Sequence, residues 1–226
     1  MSRFCQFLNS TIGRKVLMAL TGLGLALFLL AHVAGNLVIL VSTTAFNQYA
    51  HALTSNLALL YTAEAGLIAL FVVHIVMAIQ LTRRNRAARP VAYYRVSNTG
   101  RSRRFWGSSN MAISGFVILI FVVYHILHFK FGPSYSTLEA ETPMRDLARL
   151  VLEEFAKPSQ VAIYEIALFM LGMHLWHGFR SLWDTLGLGT GRCDKLIKRM
   201  THAYVVVVIG GFMIIPLWIF LTGGAA

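Results

Sequence analysis

Residues Leu17–Leu40 read LMALTGLGLALFLLAHVAGNLVIL, an apolar run that contains one titratable side chain, His32. About 20 apolar residues are enough to cross the hydrocarbon core of a bilayer as a helix. The run therefore predicts a membrane span. An ionisable side chain inside a span is costly and marks a candidate functional position.

The composition of the whole chain agrees with this interpretation. Of its 226 residues, 57% are hydrophobic and 13% are charged, and the apolar residues form long blocks, which predicts one integral membrane domain over 1–226. The first block is too long for the hydrophobic region of a cleaved signal peptide, so we expect it to stay in the protein. The formal net charge of +11 would suggest nucleic acid in a soluble chain. Its distribution indicates membrane topology instead, so we expect no nucleic-acid partner.

Five apolar blocks predict five transmembrane helices, at about 16–40, 58–82, 110–131, 160–183 and 203–222. The blocks are too long for membrane strands and lack the period-two alternation that such strands need. The predicted fold class is an all-α integral membrane protein, a bundle of five helices.

The charges of the connecting segments predict the orientation. Arginines without any acid fill the segment between the second and third blocks: Arg83, Arg84, Arg86, Arg89, Arg95, Arg101, Arg103 and Arg104. The loop 41–57 has no charged residue, and the loop 130–158 has four basic and five acidic residues, a net charge of −1. Because Lys and Arg stay on the cytoplasmic side, we predict a cytoplasmic N-terminus and an outer C-terminus. In the outer loop, Thr142–Lys157 suits a short amphipathic helix on the membrane surface, with a plain capped connector as the alternative.

Histidines occur inside four of the five blocks, and their depths form two levels. At 1.5 Å per residue, His32 and His125 lie roughly 9–12 Å below the outer surface, and His74 and His174 lie roughly 21–24 Å below it. Each level thus holds one pair on two different helices, which supplies the two axial nitrogens of a six-coordinate b-type haem. We interpret the bundle as enclosing two such haems. For a single intramembrane histidine, a hydrogen bond to a neighbouring helix is the alternative, and a zinc or copper site would need its ligands at one level.

Other side chains near these histidines are weaker candidates. His128 and His177 each follow a candidate ligand by three residues, on the same helix face. We interpret His128 as an interfacial side chain. His177, together with Arg180 and Ser181, is a candidate contact for a haem propionate, and ordinary interfacial packing is the alternative.

Cysteines do not contribute to these sites. Cys5 and Cys193 lie outside the predicted spans, and no C-x-x-C-H sequence for covalent haem attachment occurs. Two isolated cysteines also cannot hold an iron–sulfur cluster, which needs about four thiolates.

Two acids lie within the predicted spans, Glu64 and Glu165, both near the outer histidine level. At about 100° per residue, Glu64 lies roughly 80° around its helix from His74, whereas Glu165 lies opposite His174. Glu64 is therefore our candidate for a functional proton acceptor. The alternative is an interhelical hydrogen bond near the interface.

Several of these motifs resemble a known family. The segment STIGRKVLMALTGLGLALFLLAHVAGNL (10–37) looks like the signature of the cytochrome b subunit of succinate dehydrogenases and quinol:fumarate reductases, in the five-helix, di-haem branch. FVVH at 71–74, FVVYH at 121–125 and HLWHGFRSLW at 174–183 support it by position, so the resemblance covers essentially the whole chain.

The resemblance implies ligand assignments as well as a fold. It implies that His74 and His174 bind the haem nearer the partner subunits, and that His32 and His125 bind the other haem. Some relatives carry a glutamate two residues before the fourth-helix ligand. Here that position is Gly172, which puts a compensating proton route through it in doubt.

The resemblance also implies partners and a location. The expected cofactors are two haem b groups and a quinone or quinol, for which we favour menaquinone. The expected partners are a flavoprotein that interconverts fumarate and succinate, an iron–sulfur subunit docked on the Arg-rich face, and membrane lipid. The implied location is the cytoplasmic membrane of a bacterium, and a dimer of heterotrimers is one assembly we consider.

Two other classes of function stay open at this point. One is a di-haem cytochrome b of another quinone-linked oxidoreductase, such as a nitrate reductase, formate dehydrogenase or hydrogenase. The other is a haem-free membrane anchor or transporter in which the histidines line a polar pathway.

Overall fold

The computed structural model describes residues 3–88, 111–139, 142–189 and 193–223. The helices are α1 (Arg3–Asn9), α2 (Thr11–Leu37), α3 (Thr43–Ser55), α4 (Leu57–Ala87), α5 (Met111–His125), α6 (Leu147–Phe155), α7 (Pro158–Thr185) and α8 (Asp194–Thr222). A 3₁₀ turn, Val38–Leu40, extends α2, and a π-helical turn, Ile126–Lys130, extends α5. Strands β1 (Ser136–Glu139) and β2 (Thr142–Arg145) pair as an antiparallel hairpin.

Five of these helices, with their terminal turns, are long and apolar enough to cross a membrane: α2, α4, α5, α7 and α8. The predicted all-α membrane architecture with five spans is thus confirmed at this level. Helices α4 and α7, and the first turns of α2 and α8, extend beyond the predicted blocks into polar residues, whereas α5 with its terminal turn lies within its predicted block. Helical hydrogen bonding continues where the apolar sequence stops. Some residues that the prediction of span ends and topology used lie outside the described residues: Asn110, the arginines of 89–104, Glu141 and Arg192.

Short polar side chains cap the N-termini of α2, α3 and α4. Ser10 accepts a hydrogen bond from the Gly13 backbone at the start of α2, Ser42 caps α3, and Asn56 caps α4. Each of these side chains accepts a hydrogen bond from a backbone N–H in the first turn, which has no partner within its own helix. The polar residues between the apolar blocks therefore define where α2, α3 and α4 begin.

Helix α2 is the centre of the bundle, because it packs against α4, α7 and α8. Helix α7 packs against α5 and α8, whereas α4 and α5 touch at few positions. A buried apolar cluster of Val33, Leu175, Val205, Val208 and Ile209 joins α2, α7 and α8. Helix α4 has no buried residue among those described, and its outward apolar side chains suit contact with lipid.

One end of the bundle, which we call the capped end, is covered by α3, the hairpin and α6. A second apolar cluster fills it, made of Ile39, Phe46, Ala148, Val151, Phe155, Val161, Tyr164, Ile215 and Ile219. The prediction of a loop over 41–57 is wrong, because most of this segment is α3, which is buried through Phe46 and Asn47. The helix expected over Thr142–Lys157 is shorter than predicted, because Thr142–Arg145 pairs with β1.

Hydrogen bonds from two side chains hold the capped end together. The buried Asn47 amide donates to Asp146 Oδ1 (2.9 Å) and its oxygen accepts from the Ala148 backbone (2.9 Å). Asp146 also caps α6 by accepting from the Arg149 backbone. Arg145 donates to the carbonyl oxygens of Phe129 (2.9 Å) and Pro133 (3.1 Å). These bonds join α3, α6 and the end of α5, so α6 is part of the fold rather than a helix lying free on the membrane surface.

Glu154 on α6 makes the ionic contacts between the cap and α5. Its carboxylate lies 2.8 Å from His128 Nε2 and 2.7 Å from Lys157 Nζ. Burial alone raises the pKa of Glu154, but the hydrogen bonds from Lys157 and His128 lower it, and the net shift is below its usual 4.5. A carboxyl whose pKa is lower in the folded state stabilises that state fully above its ordinary pKa, and this contribution is lost as the pH falls through the folded-state value.

We therefore predict that Glu154→Gln lowers the unfolding free energy of the solubilised protein at pH 7 by about 1–3 kcal/mol, the usual cost of leaving buried partners unpaired. The difference from wild type should shrink as the pH is lowered below about 4.5, where the wild-type carboxylate is itself lost. Thermal unfolding followed by circular dichroism across this pH range measures it.

Glu153→Gln is the matched control, because Glu153 is the exposed neighbour and pairs with the exposed Arg149. We expect a much smaller effect, since exposed ion pairs contribute little. Equal losses of stability in the two variants would show that the His128–Glu154 contact does not hold the cap.

Candidate functional site

The two histidines nearer the capped end meet in the interior of the bundle. His32 projects from α2 and His125 from the end of α5, and their ring centroids lie 5.9 Å apart with the ring planes nearly perpendicular, at 87°. A metal ion bonded to one nitrogen of each ring at about 2.0 Å would hold the centroids roughly 6 Å apart. The spacing of this capped-end pair is compatible with two ligands of one metal, and it is also the spacing of an ordinary edge-to-face ring contact.

Aromatic side chains surround the capped-end pair. Phe28 stacks on His32 at 5.2 Å, and Phe212 of α8 lies 5.6 Å from it. Phe121 and Phe129 lie 5.9 and 5.4 Å from the His125 ring. An apolar, largely aromatic wall with few polar groups is typical of a site for a flat organic cofactor.

The other two histidines, the basic-end pair, lie deeper along the bundle toward the end that carries the arginines. His74 lies on α4 and His174 on α7, two helices that both pack against α2. Each has a buried hydroxyl beside its Nδ1: Thr21 of α2 lies 3.2 Å from His74, and Ser114 of α5 lies 3.1 Å from His174. The same arrangement thus occurs twice, with a hydroxyl from a neighbouring helix against each ring.

These two hydroxyls also lie within hydrogen-bond distance of their own helix backbones. Thr21 Oγ1 is 2.8 Å from the Leu17 carbonyl, and Ser114 Oγ is 3.1 Å from the Met111 carbonyl. A hydroxyl that gives its one proton to a carbonyl is left to accept from the imidazole. With the hydroxyl protons on these carbonyls, Nδ1 of His74 and His174 would carry the ring proton and Nε2 would keep its lone pair. Metal-ligating histidines use the same arrangement, in which the second ring nitrogen is held by a hydrogen bond.

A glycine follows each of the two hydroxyl residues. A Cβ at Gly22 would lie 3.3 Å from His74 Cε1, and a Cβ at Gly115 would lie 3.5 Å from His174 Cε1. The Gly22 distance is tighter than ordinary van der Waals contact, so a side chain there would displace the His74 ring by a few tenths of an ångström, whereas a Cβ at Gly115 would make an ordinary contact. Of the two positions, Gly22 is therefore the one where a glycine brings the imidazole closer to the helix.

The ligand sets are pairs rather than larger clusters. Within the described parts of the chain, no three His, Cys, Asp or Glu side chains converge on one point. A structural zinc site takes four protein ligands and a catalytic one takes three, so the described residues do not form such a site. Two neutral imidazoles, in an aromatic and glycine-lined setting, suit the axial positions of a haem.

The companion residues have other partners. His128 contacts Glu154 and therefore faces the cap. Arg180 pairs with Asp194 at 2.7 Å and lies 3.9 Å from Asp184, so its guanidinium is engaged at the basic end. His177 is half-buried one turn before Arg180, and Ser181 is exposed. No contact in the described residues connects Arg180 or Ser181 with the basic-end pair.

The two intramembrane acids differ in their surroundings. Glu64 on α4 forms an ion pair with Lys130 at the end of α5, so the carboxylate links two helices that otherwise touch little. Glu165 on α7 has a buried carboxyl oxygen without a hydrogen-bond partner in the described structure. Neither acid contacts a histidine of the two pairs through any hydrogen bond in the described residues.

Sequence reasoning found the four histidines but missed their polar neighbours. It did not single out Thr21, Ser114 or Tyr164, although Tyr164 lies 3.1 Å from His125 Nδ1. One signal could have identified Thr21 and Ser114. Each is a hydroxyl residue followed by glycine, inside an apolar helix and at the depth of a histidine on another helix.

Comparisons with protein-family models, with curated proteins and with solved structures found no match for the chain.

Proposed function

We propose that the chain is a di-haem cytochrome b that anchors a succinate dehydrogenase or quinol:fumarate reductase in the membrane and connects a quinone with its iron–sulfur subunit. One observation carries the haem part of this proposal. Four imidazoles on four membrane helices lie as two pairs, with the spacing of the capped-end pair and the Nδ1 partners of the basic-end pair suited to axial ligands. The dicarboxylate chemistry rests on the sequence resemblance alone.

Each pair of histidines would bind one of the two cofactors. His32 and His125 would bind one haem, and His74 and His174 the other, each through a ring nitrogen without a proton. Thr21 and Ser114 would orient the rings of the basic-end pair through Nδ1. The two haems, when bound, would supply one-electron transfer along the bundle between its two ends.

A quinol must also lose protons when it is oxidised, and Glu64 is the residue that we assign to this step. Its carboxylate lies about 10 Å along α4 from the first residue of the helix, at 1.5 Å per residue. This is near the level of the capped-end pair and within reach of the membrane surface. A Glu64 carboxylate oxygen would take a proton from a quinol hydroxyl and pass it to water at the capped end. Lys130, now its ion-pair partner, would have to give way to the quinol.

The opposite end of the bundle is suited to an acidic or anionic partner. Exposed basic side chains cluster there on three helices: Lys15, Arg83, Arg84, Arg86, Lys195, Lys198 and Arg199. We propose that part of this surface binds the iron–sulfur subunit and part binds anionic lipid headgroups. In the orientation predicted from the loop charges, this end faces the cytoplasm of a bacterium.

Optical spectra of the purified complex test the proposal. A reduced-minus-oxidised spectrum should show b-type bands, and extraction should yield two haems and one flavin per copy of this chain. A pigment-free protein would remove the cytochrome assignment. Two haems without a flavin-containing partner would instead indicate a cytochrome b that serves another quinone-linked oxidoreductase.

The pairing of the histidines generates a second prediction. His32→Ala and His125→Ala should each abolish the same haem and leave the other one titrating normally, because both residues would bind one iron. His74→Ala and His174→Ala should remove the other haem. A redox titration of each variant, followed at the haem bands, makes this measurement, and loss of different haems from His32→Ala and His125→Ala would contradict the pairing.

Glu64→Gln should lower quinol turnover by about 10²-fold or more, the usual contribution of a general base, and should leave both haems in place. Steady-state quinol oxidation and a haem determination on the same preparation measure the two effects. Lys130→Gln is the matched control, because it breaks the same ion pair but keeps the carboxylate. Comparable losses of turnover in the two variants would show that the ion pair matters rather than the base.

A further inference from the structure

Tyr164 on α7 is buried against the capped-end pair, with 6% of its surface exposed. Its hydroxyl lies 3.1 Å from His125 Nδ1. Its ring is held by edge-to-face contacts with Phe121 at 5.0 Å and Phe155 at 4.9 Å. Because neighbours from α5 and α6 fix the ring, the hydroxyl is held at one position beside His125.

A second tyrosine in the same cluster has a different partner. The Tyr124 ring lies 6.3 Å from the Tyr164 ring, and the Tyr124 hydroxyl donates to Gln160 Oε1 at 2.5 Å. The two tyrosines thus share an aromatic environment, but Tyr164 is the one bonded to a histidine of the pairs. This makes Tyr124 a matched control for Tyr164.

The other ring of the capped-end pair is held less directly. The Asn36 amide donates to the His32 backbone carbonyl at 2.8 Å, whereas its distances to the His32 ring nitrogens are 3.4 and 3.5 Å. Those two distances are long for an N–H···N hydrogen bond. His125 is therefore the ring of this pair whose orientation and electron density depend on a single well-placed partner.

We propose that Tyr164 is the positioning residue of His125 and sets the reduction potential of the metal that the capped-end pair binds. The inference rests on the proposed function, because it needs a haem between His32 and His125. If Nε2 of His125 bound the iron, Nδ1 would keep its proton, and its N–H would donate a hydrogen bond to the Tyr164 oxygen at 3.1 Å. This hydrogen bond increases the electron donation of the imidazole to the iron, which favours the oxidised state.

Replacing Tyr164 by Phe removes the acceptor and keeps the packed ring. In the assembled complex, the Tyr164→Phe variant should keep both haems. The haem that is lost in His125→Ala should become easier to reduce, by about tenfold in its oxidation–reduction equilibrium, or ~59 mV for a one-electron couple. The other haem should keep its wild-type potential, because Thr21 and Ser114 hold its ligands.

Potentiometric titration of both haems in wild type, Tyr164→Phe and Tyr124→Phe makes the comparison. We expect Tyr124→Phe to move neither potential. The inference is overturned if Tyr164→Phe moves neither potential, moves both equally, or is matched by Tyr124→Phe. Absence of haem from the wild-type complex would overturn the proposed function as well, so the two failures can be told apart.

A second variant keeps the inference testable if Tyr164→Phe disturbs assembly. Incorporation of 3-fluorotyrosine at position 164 keeps the ring and the hydroxyl but makes the oxygen a weaker hydrogen-bond acceptor. It should raise the same potential by a smaller amount than Tyr164→Phe. An unchanged potential with both haems present would show that the hydroxyl does not act on the iron through His125.

Discussion

The arrangement of the bundle depends on the cost of enclosing four imidazoles in an apolar interior. A buried polar atom without a partner is strongly unfavourable, and within a bilayer no water replaces the lost hydrogen bond. In this chain a hydroxyl lies within hydrogen-bond distance of Nδ1 of His74, His174 and His125, so one ring nitrogen of each has a partner. Where Thr21 and Ser114 give their protons to backbone carbonyls, the second nitrogen of each basic-end ring would keep its lone pair. That is the state in which an imidazole binds a metal.

The two ends of the bundle give the two pairs different surroundings. The capped-end pair lies among Phe28, Phe121, Phe129 and Phe212, below a cap that is itself filled by an apolar cluster. The basic-end pair has aliphatic hydroxyls as its partners and lies toward the end that carries the exposed basic side chains. Because burial and hydrogen bonds to the ligands tune a metal site, two chemically identical cofactors would have different potentials here.

The spans and the histidine levels could be predicted from the sequence because both depend on local quantities, namely hydropathy and a fixed rise per residue. The partners of the histidines could not, because Thr21 hydrogen-bonds its own helix backbone whether or not an imidazole lies beside it. Helix α3 was missed for a different reason. Its burial depends on Asn47 and on Asp146, which lies 99 residues away in the chain. The ion pair of Glu64 with Lys130 is equally non-local, and spacing along one helix could not show it.

The π-helical turn after His125 explains why a three-residue spacing was misleading on α5. In a regular α-helix, His125 and His128 would share one face, and the sequence analysis placed them so. In the structure the helix widens at Ile126–Lys130, and π-helical turns are frequent at functional positions. His125 faces His32 and Tyr164 in the interior, whereas His128 reaches Glu154 on α6. One histidine of this segment is thus at the candidate metal site and the other is at the cap, so α5 contributes to the cap without bringing His128 to the site.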